Sequence, residues 1–272
     1  MVSEVKLNIM KKNIGFIGCG KMASAFINGI KDKYCVKASE INEEYAKSMS
    51  EKLDISVYTD NIKLVKGSDI VFLAVKPNQA IAVLNEIKDE ITNDKLFVSI
   101  CAGITTEKIQ HILKDIRIIR IMPNTPALLK CGMFGICKGK LASDEDVDFI
   151  ENLLNSIGKC ITVEESQMDL VTAISGSGPA FFYQVIEDMA RAGEKLGLDY
   201  EKSLVLATQT ALGSANMIFN RGETSVQTLI DNVATKGGCT FVGIEEMKKL
   251  DSSGLFYSVI EKTSFKANEL GK

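Results

Sequence analysis

The chain has 272 residues, of which 46% are hydrophobic and 25% are charged. These proportions indicate a globular protein with a sizeable core, and the length suits one large domain or two smaller ones. The net charge is −3, and lysine and arginine are spread along the chain, which excludes the basic stripe that nucleic acid or an anionic lipid surface requires. We expect neither a membrane span nor a signal peptide, because no apolar run is long enough and the first twelve residues are polar.

The cysteine and histidine content limits which metal sites and catalytic groups we expect. The seven cysteines form no CxxC pair and show no metal-ligand spacing, so we predict reduced, mostly buried thiols in a cytoplasmic protein without a metal site. His111 is the single histidine and lies in a polar segment with helical spacing. We interpret it as a structural residue on a surface helix rather than a catalytic one.

The first part of the chain alternates strand-like and helical patterns. Predicted strands, which are apolar and β-branched, cover 13–18, 34–38, 55–58, 69–75, 96–101, 116–122, 133–138 and 159–163. Helical spacing of apolar residues marks the segments 42–53, 78–91 and 144–157. This alternation predicts an α/β fold with a doubly wound parallel sheet that is buried on both faces.

From about residue 167 the strand pattern stops. Predicted helices cover 179–196, 200–219, 226–233, 240–250 and 252–270. We therefore place an α/β domain over residues 1–165 and an all-helical domain over 166–272. The stretches 171–186 and 203–219 contain no charged residue, which is typical of helices buried on all sides. They indicate a tight local core or a subunit interface, and we favour the interface because soluble oligomers are commonly two-fold dimers.

A dinucleotide fingerprint closes the first predicted strand. In Gly18-x-Gly20-x-x-Ala23, Gly18 permits a tight turn, Gly20 lets backbone N–H groups approach a pyrophosphate, and Ala23 lets the following helix sit close to the strand. The start of that helix adds a favourable dipole for phosphates. The position at the first strand of an alternating pattern favours a nicotinamide dinucleotide over an ordinary glycine-rich turn.

Further candidates lie at other strand ends, where ligands of open α/β sheets bind. Glu40 follows the second strand, twenty residues after Gly20, where a carboxylate meets the adenosine ribose hydroxyls. A solvated loop glutamate is the alternative for Glu40. Lys76 ends the strand at 69–75, and small residues fill 99–105, which would let a flat nicotinamide approach the backbone.

Five stretches, in order, resemble the pyrroline-5-carboxylate reductase family, from about residue 12 to residue 269. They are IGCGKMA at 17–23, FLAVKP at 72–77, RIMPNTPAL at 120–128, ISGSGPAFF at 174–182 and, most specifically, LIDNVATKGGCTFVGIEEM at 229–247. The resemblance implies a Rossmann-type domain followed by an all-helical dimerisation domain, with a homodimer or a higher oligomer of such dimers. It also implies reduction of L-1-pyrroline-5-carboxylate to L-proline by NADPH or NADH, the last step of proline biosynthesis.

The resemblance also implies which residues contact the cofactor and the substrate. The cofactor contacts, joined by Glu40 from the fingerprint spacing, are Gly18, Cys19, Gly20, Lys21, Met22, Ala23, Ser39, Asn61, Ala74, Val75, Lys76, Pro77, Cys101, Ala102, Gly103 and Asn232. The substrate contacts are Glu223, Gly237, Gly238, Cys239 and Thr240. Ser175 lines the substrate pocket or belongs to a segment that lets helices approach closely, and both roles stay open. Glu40 departs from the family, which often has a residue there that reads a 2′-phosphate.

Imine reduction needs few catalytic groups, because a protonated imine is already electrophilic. Consecutive backbone N–H groups in Gly237–Thr240, at the start of a predicted helix, suit the carboxylate of the substrate. Thr240 is the expected catalytic residue, with its hydroxyl beside the ring nitrogen to accept a hydrogen bond or help to deliver a proton. A plain helix N-cap is the alternative for Thr240.

Two other functions stay open at this point. A reductase of the hydroxyacid dehydrogenase type would need a catalytic lysine on the helical domain, where Lys195 and Lys202 are predicted to be solvated. A cofactor-binding regulator without catalysis is the second, and the intact loop 237–240 argues against it. We expect a small-molecule substrate and neither a nucleic acid nor a membrane as partner.

Overall fold

The computed structural model describes residues 12–271, which form two compact units. The first unit contains the described residues up to Ser177 and the end of the last helix from Thr263, and the second unit spans Gly178–Lys262. No helix within residues 12–271 has the length and apolar character that a membrane crossing requires.

The first unit is built on one eight-stranded sheet with the strand order β3-β2-β1-β4-β5-β6-β7-β8. Strands β1 to β6 are parallel, β7 is antiparallel to β6, and β8 is parallel to β7. The strands are β1 Asn13–Ile17, β2 Cys35–Ser39, β3 Ser56–Tyr58, β4 Ile70–Leu73, β5 Leu96–Ser99, β6 Arg117–Met122, β7 Gly132–Lys138 and β8 Gly158–Thr162. The predicted α/β fold is confirmed.

Helices cover both faces of the sheet. They are α1 Lys21–Ile30, α2 Glu43–Leu53, α3 Asn61–Lys66, α4 Pro77–Ile87, α5 Thr106–Leu113, α6 Asp144–Leu154 and the short α7 Met168–Val171. On one face Phe16 and Phe72 stack with ring centroids 4.5 Å apart, and Phe26 of α1 packs edge-on against Phe72. On the other face Val71 and Phe97 pack with residues of α3, α4 and α5. Successive strand residues point to opposite faces, so two covered faces require continuous apolar strands.

The direction of β7 departs from the predicted parallel sheet. A short 3₁₀ turn, Thr125–Leu129, follows β6 and leads the chain straight into β7. Such a direct return produces an antiparallel neighbour, whereas a parallel neighbour needs a longer crossover. The apolar pattern of a strand carries no information about its direction, and for this reason the sequence did not reveal the reversal.

A buried ion pair fixes the segment that follows β8. Arg120 of β6 is 2% exposed and pairs with Glu165, which also accepts hydrogen bonds from the backbone N–H and the hydroxyl of Thr106 at 3.1 and 2.5 Å. Further along the segment, Gly135 of β7 packs against Val171. These contacts hold residues 165–177 on the sheet, and the two compact units divide at Gly178. The domain boundary at residue 165 stays a prediction.

The second unit is helical, as the sequence predicts. Its helices are α8 Gly178–Lys195, α9 Tyr200–Phe219, α10 Val226–Val233, α11 Cys239–Lys249 and the first part of α12 Ser252–Leu270. Helices α8 and α9 pair closely: the Tyr200 hydroxyl donates to Glu187 at 2.7 Å, and a Cβ at Gly193 would lie 3.0 Å from the Cβ of Ser203.

Little of the second unit is buried within the chain. Only Gly178 and Ala190 of α8, and Ser203 and Ala207 of α9, are buried among the residues of these two helices. Large apolar side chains in the uncharged part of α9 are exposed, for example Val205 at 65% and Met217 at 62%. A tight local core, one of the two readings of this stretch, is therefore wrong for the isolated chain.

We predict that Glu165→Gln destabilises the first unit by about 3–5 kcal/mol at neutral pH, because it leaves the Arg120 charge buried without its partner. Burial raises the pKa of Glu165, but the hydrogen bonds from Thr106 and the charge of Arg120 outweigh it and lower the pKa below its ordinary value. The contribution of ionised Glu165 to the free energy of unfolding is thus complete above the ordinary carboxyl pKa. It is lost as the pH falls through the lowered pKa of Glu165 in the folded protein.

Denaturant unfolding of the two proteins, followed from pH 7 downwards, measures this difference. The difference in free energy of unfolding between wild type and Glu165→Gln should become smaller in acid. Glu107→Gln is the matched control, because Glu107 is an exposed carboxylate next to Thr106, and it should leave the stability nearly unchanged. Equal stability of Glu165→Gln and wild type at pH 7 would contradict the importance of the ion pair.

Candidate functional site

Helix starts divide into two kinds in the described structure. Helices α2, α3, α5, α6, α9 and α10 each have an N-cap side chain that accepts a backbone N–H of the first turn. Helices α1, α4 and α11 and the four-residue helix α7 have no side-chain cap, and the N-caps of the first three are Gly20, Lys76 and Gly238. Uncapped N–H groups together with the helix dipole are suited to anionic ligands. The starts of α1, α4 and α11 are also the ones that the sequence places in the site.

The fingerprint loop has the geometry that its glycines predict. Gly18 has φ +96°, its N–H donates to the Ser39 carbonyl at 2.9 Å, and a Cβ there would lie 2.7 Å from the Ala74 carbonyl oxygen. Gly20 is exposed, and no heavy atom lies within 4 Å of the position that its Cβ would occupy. Ala23, in the first turn of α1, is buried. The loop therefore leaves open space in front of uncapped N–H groups, which fits the pyrophosphate of a dinucleotide.

The remaining loop residues, Cys19, Lys21 and Met22, differ in exposure. Cys19 is fully buried, Met22 is half-buried and Lys21 is exposed. Burial, and secondarily the nearby charge of Glu40, raise the pKa of the Cys19 thiol to about 11. The thiol is therefore neutral at physiological pH and adds no negative charge to a phosphate-binding loop.

The end of β2 lies beside this loop. Ser39 is fully buried, and its hydroxyl donates to the side-chain oxygen of Asn61 at 2.7 Å. Asn61 in turn donates to the carboxylate of Glu86 at 2.9 Å. Glu40 is half-buried, and its N–H donates to the Tyr58 carbonyl at 2.8 Å. The structure thus brings Ser39, Glu40 and Asn61 together, and it adds Glu86, which the sequence analysis missed.

Two more candidate loops follow β4 and β5. The residues from Ala74 lead into α4, where Lys76 is the N-cap and Pro77 the first helical residue. Cys101 is buried, and its thiol lies 3.3 Å from the Val75 carbonyl oxygen. Ala102 is half-buried, and Gly103, with φ +74°, packs against the backbone at the end of α12, within the same unit. The two loops are therefore in contact with each other.

The stretch around Ser175 forms one turn of π-helix, Thr172–Gly176, just before α8. Buried Asn124 donates to the Ser175 carbonyl at 3.2 Å and accepts from the Met133 N–H at 2.9 Å. The side chain of Met122 packs where Gly176 has no Cβ. Close packing, one of the two predicted roles of this stretch, is therefore observed, and the substrate role of Ser175 stays a prediction.

The predicted substrate residues lie in the second unit. Gly237, with φ +83°, and Gly238 form the turn before α11, and the Gly238 N–H donates to the Thr235 carbonyl at 2.9 Å. Helix α11 begins at Cys239, and its N-cap is Gly238. Thr240 is half-buried in the first turn, so the alternative of a plain N-cap is wrong for this residue.

Other predicted residues of the second unit are exposed. They are Glu223, Asn232 on α10, and Cys239. Of the seven cysteines, Cys19, Cys101 and Cys137 are buried and Cys160 is half-buried, whereas Cys35, Cys131 and Cys239 are exposed. The prediction of mostly buried thiols is therefore too strong. His111 is exposed on α5, as predicted.

A largely parallel sheet, a fingerprint loop before an uncapped helix and a following helical unit define a nicotinamide-dinucleotide oxidoreductase of the Rossmann type. Comparison with known families agrees. Residues 13–103 match the family described as NADP oxidoreductase coenzyme F420-dependent, and residues 165–270 match pyrroline-5-carboxylate reductase dimerisation.

Known proteins are similar over nearly the whole chain. A pyrroline-5-carboxylate reductase of Methanosarcina acetivorans is 39% identical over 267 residues, which cover 96% of this chain and 98% of the relative. The structure of a pyrroline-5-carboxylate reductase from Coxiella burnetii superposes with a TM-score of 0.89 at 32% identity, over 96% of this chain and 99% of that one. The Plasmodium falciparum pyrroline carboxylate reductase with NADP bound gives 0.84 at 32% identity, over 96% and 98%. The chain belongs to the pyrroline-5-carboxylate reductase family.

Proposed function

We propose that this protein reduces L-1-pyrroline-5-carboxylate to L-proline, the last step of proline biosynthesis, with NADPH or NADH as the hydride donor. The observation that carries the proposal is family membership over nearly the full length of the chain. The glycine N-caps of α1 and α11, Gly20 and Gly238, are both present. A cytoplasmic location, which the cysteine usage predicts, is part of the same proposal.

The cofactor would be held along the ends of β1, β2, β4 and β5. The backbone N–H groups of Gly18–Ala23 would bind its pyrophosphate, and Ser39, Glu40 and Asn61 its adenosine ribose. The loops 74–77 and 101–103 would hold the nicotinamide, and Asn232 is a further proposed cofactor contact. When bound, the cofactor supplies the hydride. The open space at Gly20 and the uncapped start of α1 support this assignment.

The substrate would be held by the turn before α11. Its carboxylate fits the N–H groups that follow Gly237 and Gly238, where the helix dipole favours an anion without requiring a cation. Glu223 and Cys239 would contribute exposed side chains to the same site, and Ser175 is also assigned to it.

The reaction needs few chemical groups from the protein. The carbon–nitrogen double bond takes up one hydride at carbon and one proton at nitrogen, which yields the saturated ring of proline. The hydroxyl of Thr240 would lie at the ring nitrogen, where it accepts a hydrogen bond from the protonated imine or delivers the proton. Since Gly238 fills the N-cap position, the Thr240 hydroxyl is not committed to capping α11.

A homodimer through the helical unit completes the proposal. The exposed apolar side chains of α9 need a partner surface, because an isolated chain would leave them in water. The matched family is described as a dimerisation domain. A second copy of this chain therefore covers α9, and a higher oligomer of such dimers is compatible with the same contact.

The two alternative functions have less support. A reductase of the hydroxyacid dehydrogenase type would use a buried catalytic lysine, but Lys195 and Lys202 are both exposed, at the end of α8 and the start of α9. A non-catalytic regulator would show no turnover. A spectrophotometric assay of NADH and NADPH oxidation with the cyclic imine separates all three, since only the proposed function gives turnover with that substrate.

For catalysis, we predict that Thr240→Ala lowers kcat by roughly ten- to a thousandfold, the range expected for the loss of one hydrogen-bonding or proton-delivering group. Thr240→Ser keeps the hydroxyl and should retain most of the activity. His111→Ala should be nearly neutral. Steady-state kinetics on the three variants measure these effects, and equal losses at positions 240 and 111 would refute the role of Thr240.

For assembly, we predict that Ala211→Glu produces monomers or aggregates with little activity, because it places an unpaired charge in the uncharged part of α9 that the partner covers. Sedimentation velocity and the activity assay report the result. Lys202→Glu, a larger charge change at the polar start of the same helix, should remain an active dimer. A fully active dimer of Ala211→Glu would show that α9 is not in the interface.

For cofactor preference, we predict that Glu40 favours NADH, because its carboxylate can accept from both ribose hydroxyls but repels a 2′-phosphate. Glu40 is half-buried, so the penalty is on the order of 1 kcal/mol, or about fivefold. Glu40→Ser should shift kcat/KM toward NADPH, mainly through KM. An unchanged ratio would mean that Glu40 only faces solvent.

A further inference from the structure

The end of α12 packs against the loop that follows β5, within the first unit. Gly103 of this loop lies so close to the helix end that a Cβ there would be 3.0 Å from the backbone of Leu270 and Gly271. A Cβ at Gly271 would in turn lie 2.8 Å from the Gly103 carbonyl oxygen. The two backbones meet without side chains between them, so a displacement of the helix end also displaces the loop.

Two polar contacts attach the helix end to its neighbours. The Asn268 side-chain amide donates to the carboxylate of Asp169 in α7 at 2.9 Å, and the Lys108 ammonium of α5 donates to the Gly271 carbonyl. Apolar packing adds little, because only Ala267 is buried among the described residues of α12. A cavity of about 590 Å³ borders Asp169, Asn268 and Gly271. The attachment therefore depends on few contacts, and a single substitution at Asn268 removes one of them.

The attached loop contains a residue that a ligand can reach. Cys101 and Gly103 are buried, whereas Ala102 between them is half-buried. On one side the backbone of Ala102 is held through Cys101, whose thiol lies 3.3 Å from the Val75 carbonyl oxygen. On the other side it is held through Gly103 and the end of α12. The helix end is thus one of two supports for the accessible part of this loop.

We propose that Asn268 is a positioning residue, which holds the end of α12 and thereby fixes the loop 101–103 where the nicotinamide ring binds. The inference rests on the proposed placement of the nicotinamide at this loop. Asn268 acts through the backbone of α12 and Gly103, and Ala102 is the residue that meets the ring. Hydride transfer requires a narrow range of distances and angles, so a loosened loop weakens ring binding and slows the reaction.

The test uses Asn268→Asp, which places a second carboxylate against Asp169 and replaces a hydrogen bond by repulsion. We expect the affinity for NADH to fall about three- to tenfold, the worth of one hydrogen bond, and the affinity for ADP to change by less than about twofold. ADP carries the adenosine and the pyrophosphate but no nicotinamide. Fluorescence titration of the free protein with NADH and calorimetry with ADP measure both affinities without turnover, and kcat should fall as well.

An exchange variant and a matched control separate the proposed contact from charge and from general destabilisation. When Asn268→Asp is combined with Asp169→Asn, the amide at position 169 can donate to the carboxylate at position 268. The NADH affinity should then return to within about twofold of wild type. Lys266→Gln changes the net charge by the same amount near the same helix end, where Lys266 pairs with Glu269, and it should leave both affinities unchanged.

The outcomes are distinct. Unchanged NADH affinity in Asn268→Asp, equal losses of NADH and ADP affinity, or a loss that the exchange variant does not restore would each overturn the inference. Normal NADH binding by the wild type without turnover of the cyclic imine would overturn the proposed function alone.

Discussion

The close meeting of three strand ends at Gly18 is the constraint on which the cofactor side of the site depends. Gly18 donates to the carbonyl at the end of β2, and the Ala74 carbonyl just after β4 lies where a Cβ would be. Its positive φ is one that glycine adopts without strain. Since β1 lies between β2 and β4, this contact determines where α1 starts and where its uncapped N–H groups point. A larger residue at position 18 would push the ends of β1 and β4 apart.

The α/β architecture was predictable because its signals are local. Strands covered on both faces must be apolar throughout, and helices must show 3.6-residue spacing, so each element is visible within its own segment. The fingerprint is equally local, since Gly18, Gly20 and Ala23 act within one turn. The second unit was predictable for the same reason, and the uncharged part of α9 indicated an interface, with which the exposure of Val205 and Met217 agrees.

The features that the sequence did not show are mainly contacts between residues that are distant along the chain. Arg120 and Glu165 meet only after folding, although an arginine in an otherwise apolar strand, RIIRIM, was a signal of a buried partner. The contact between Asn61 and Glu86 had no such signal, because glutamate on a helix is usually solvated. The sequence also did not show which residue caps α11: the N-cap is Gly238, two residues before Thr240.

The packing of Gly103 against the end of α12 joins two parts of the chain that are far apart in sequence. A Cβ at position 103 would lie 3.0 Å from the backbone of both Leu270 and Gly271. The loop that contains Cys101 and the last turn of the final helix therefore cannot change independently. In evolutionary terms, a larger residue at position 103 requires a compensating shift near position 270, so these positions should covary among relatives, even though one lies in a loop and the other in a helix.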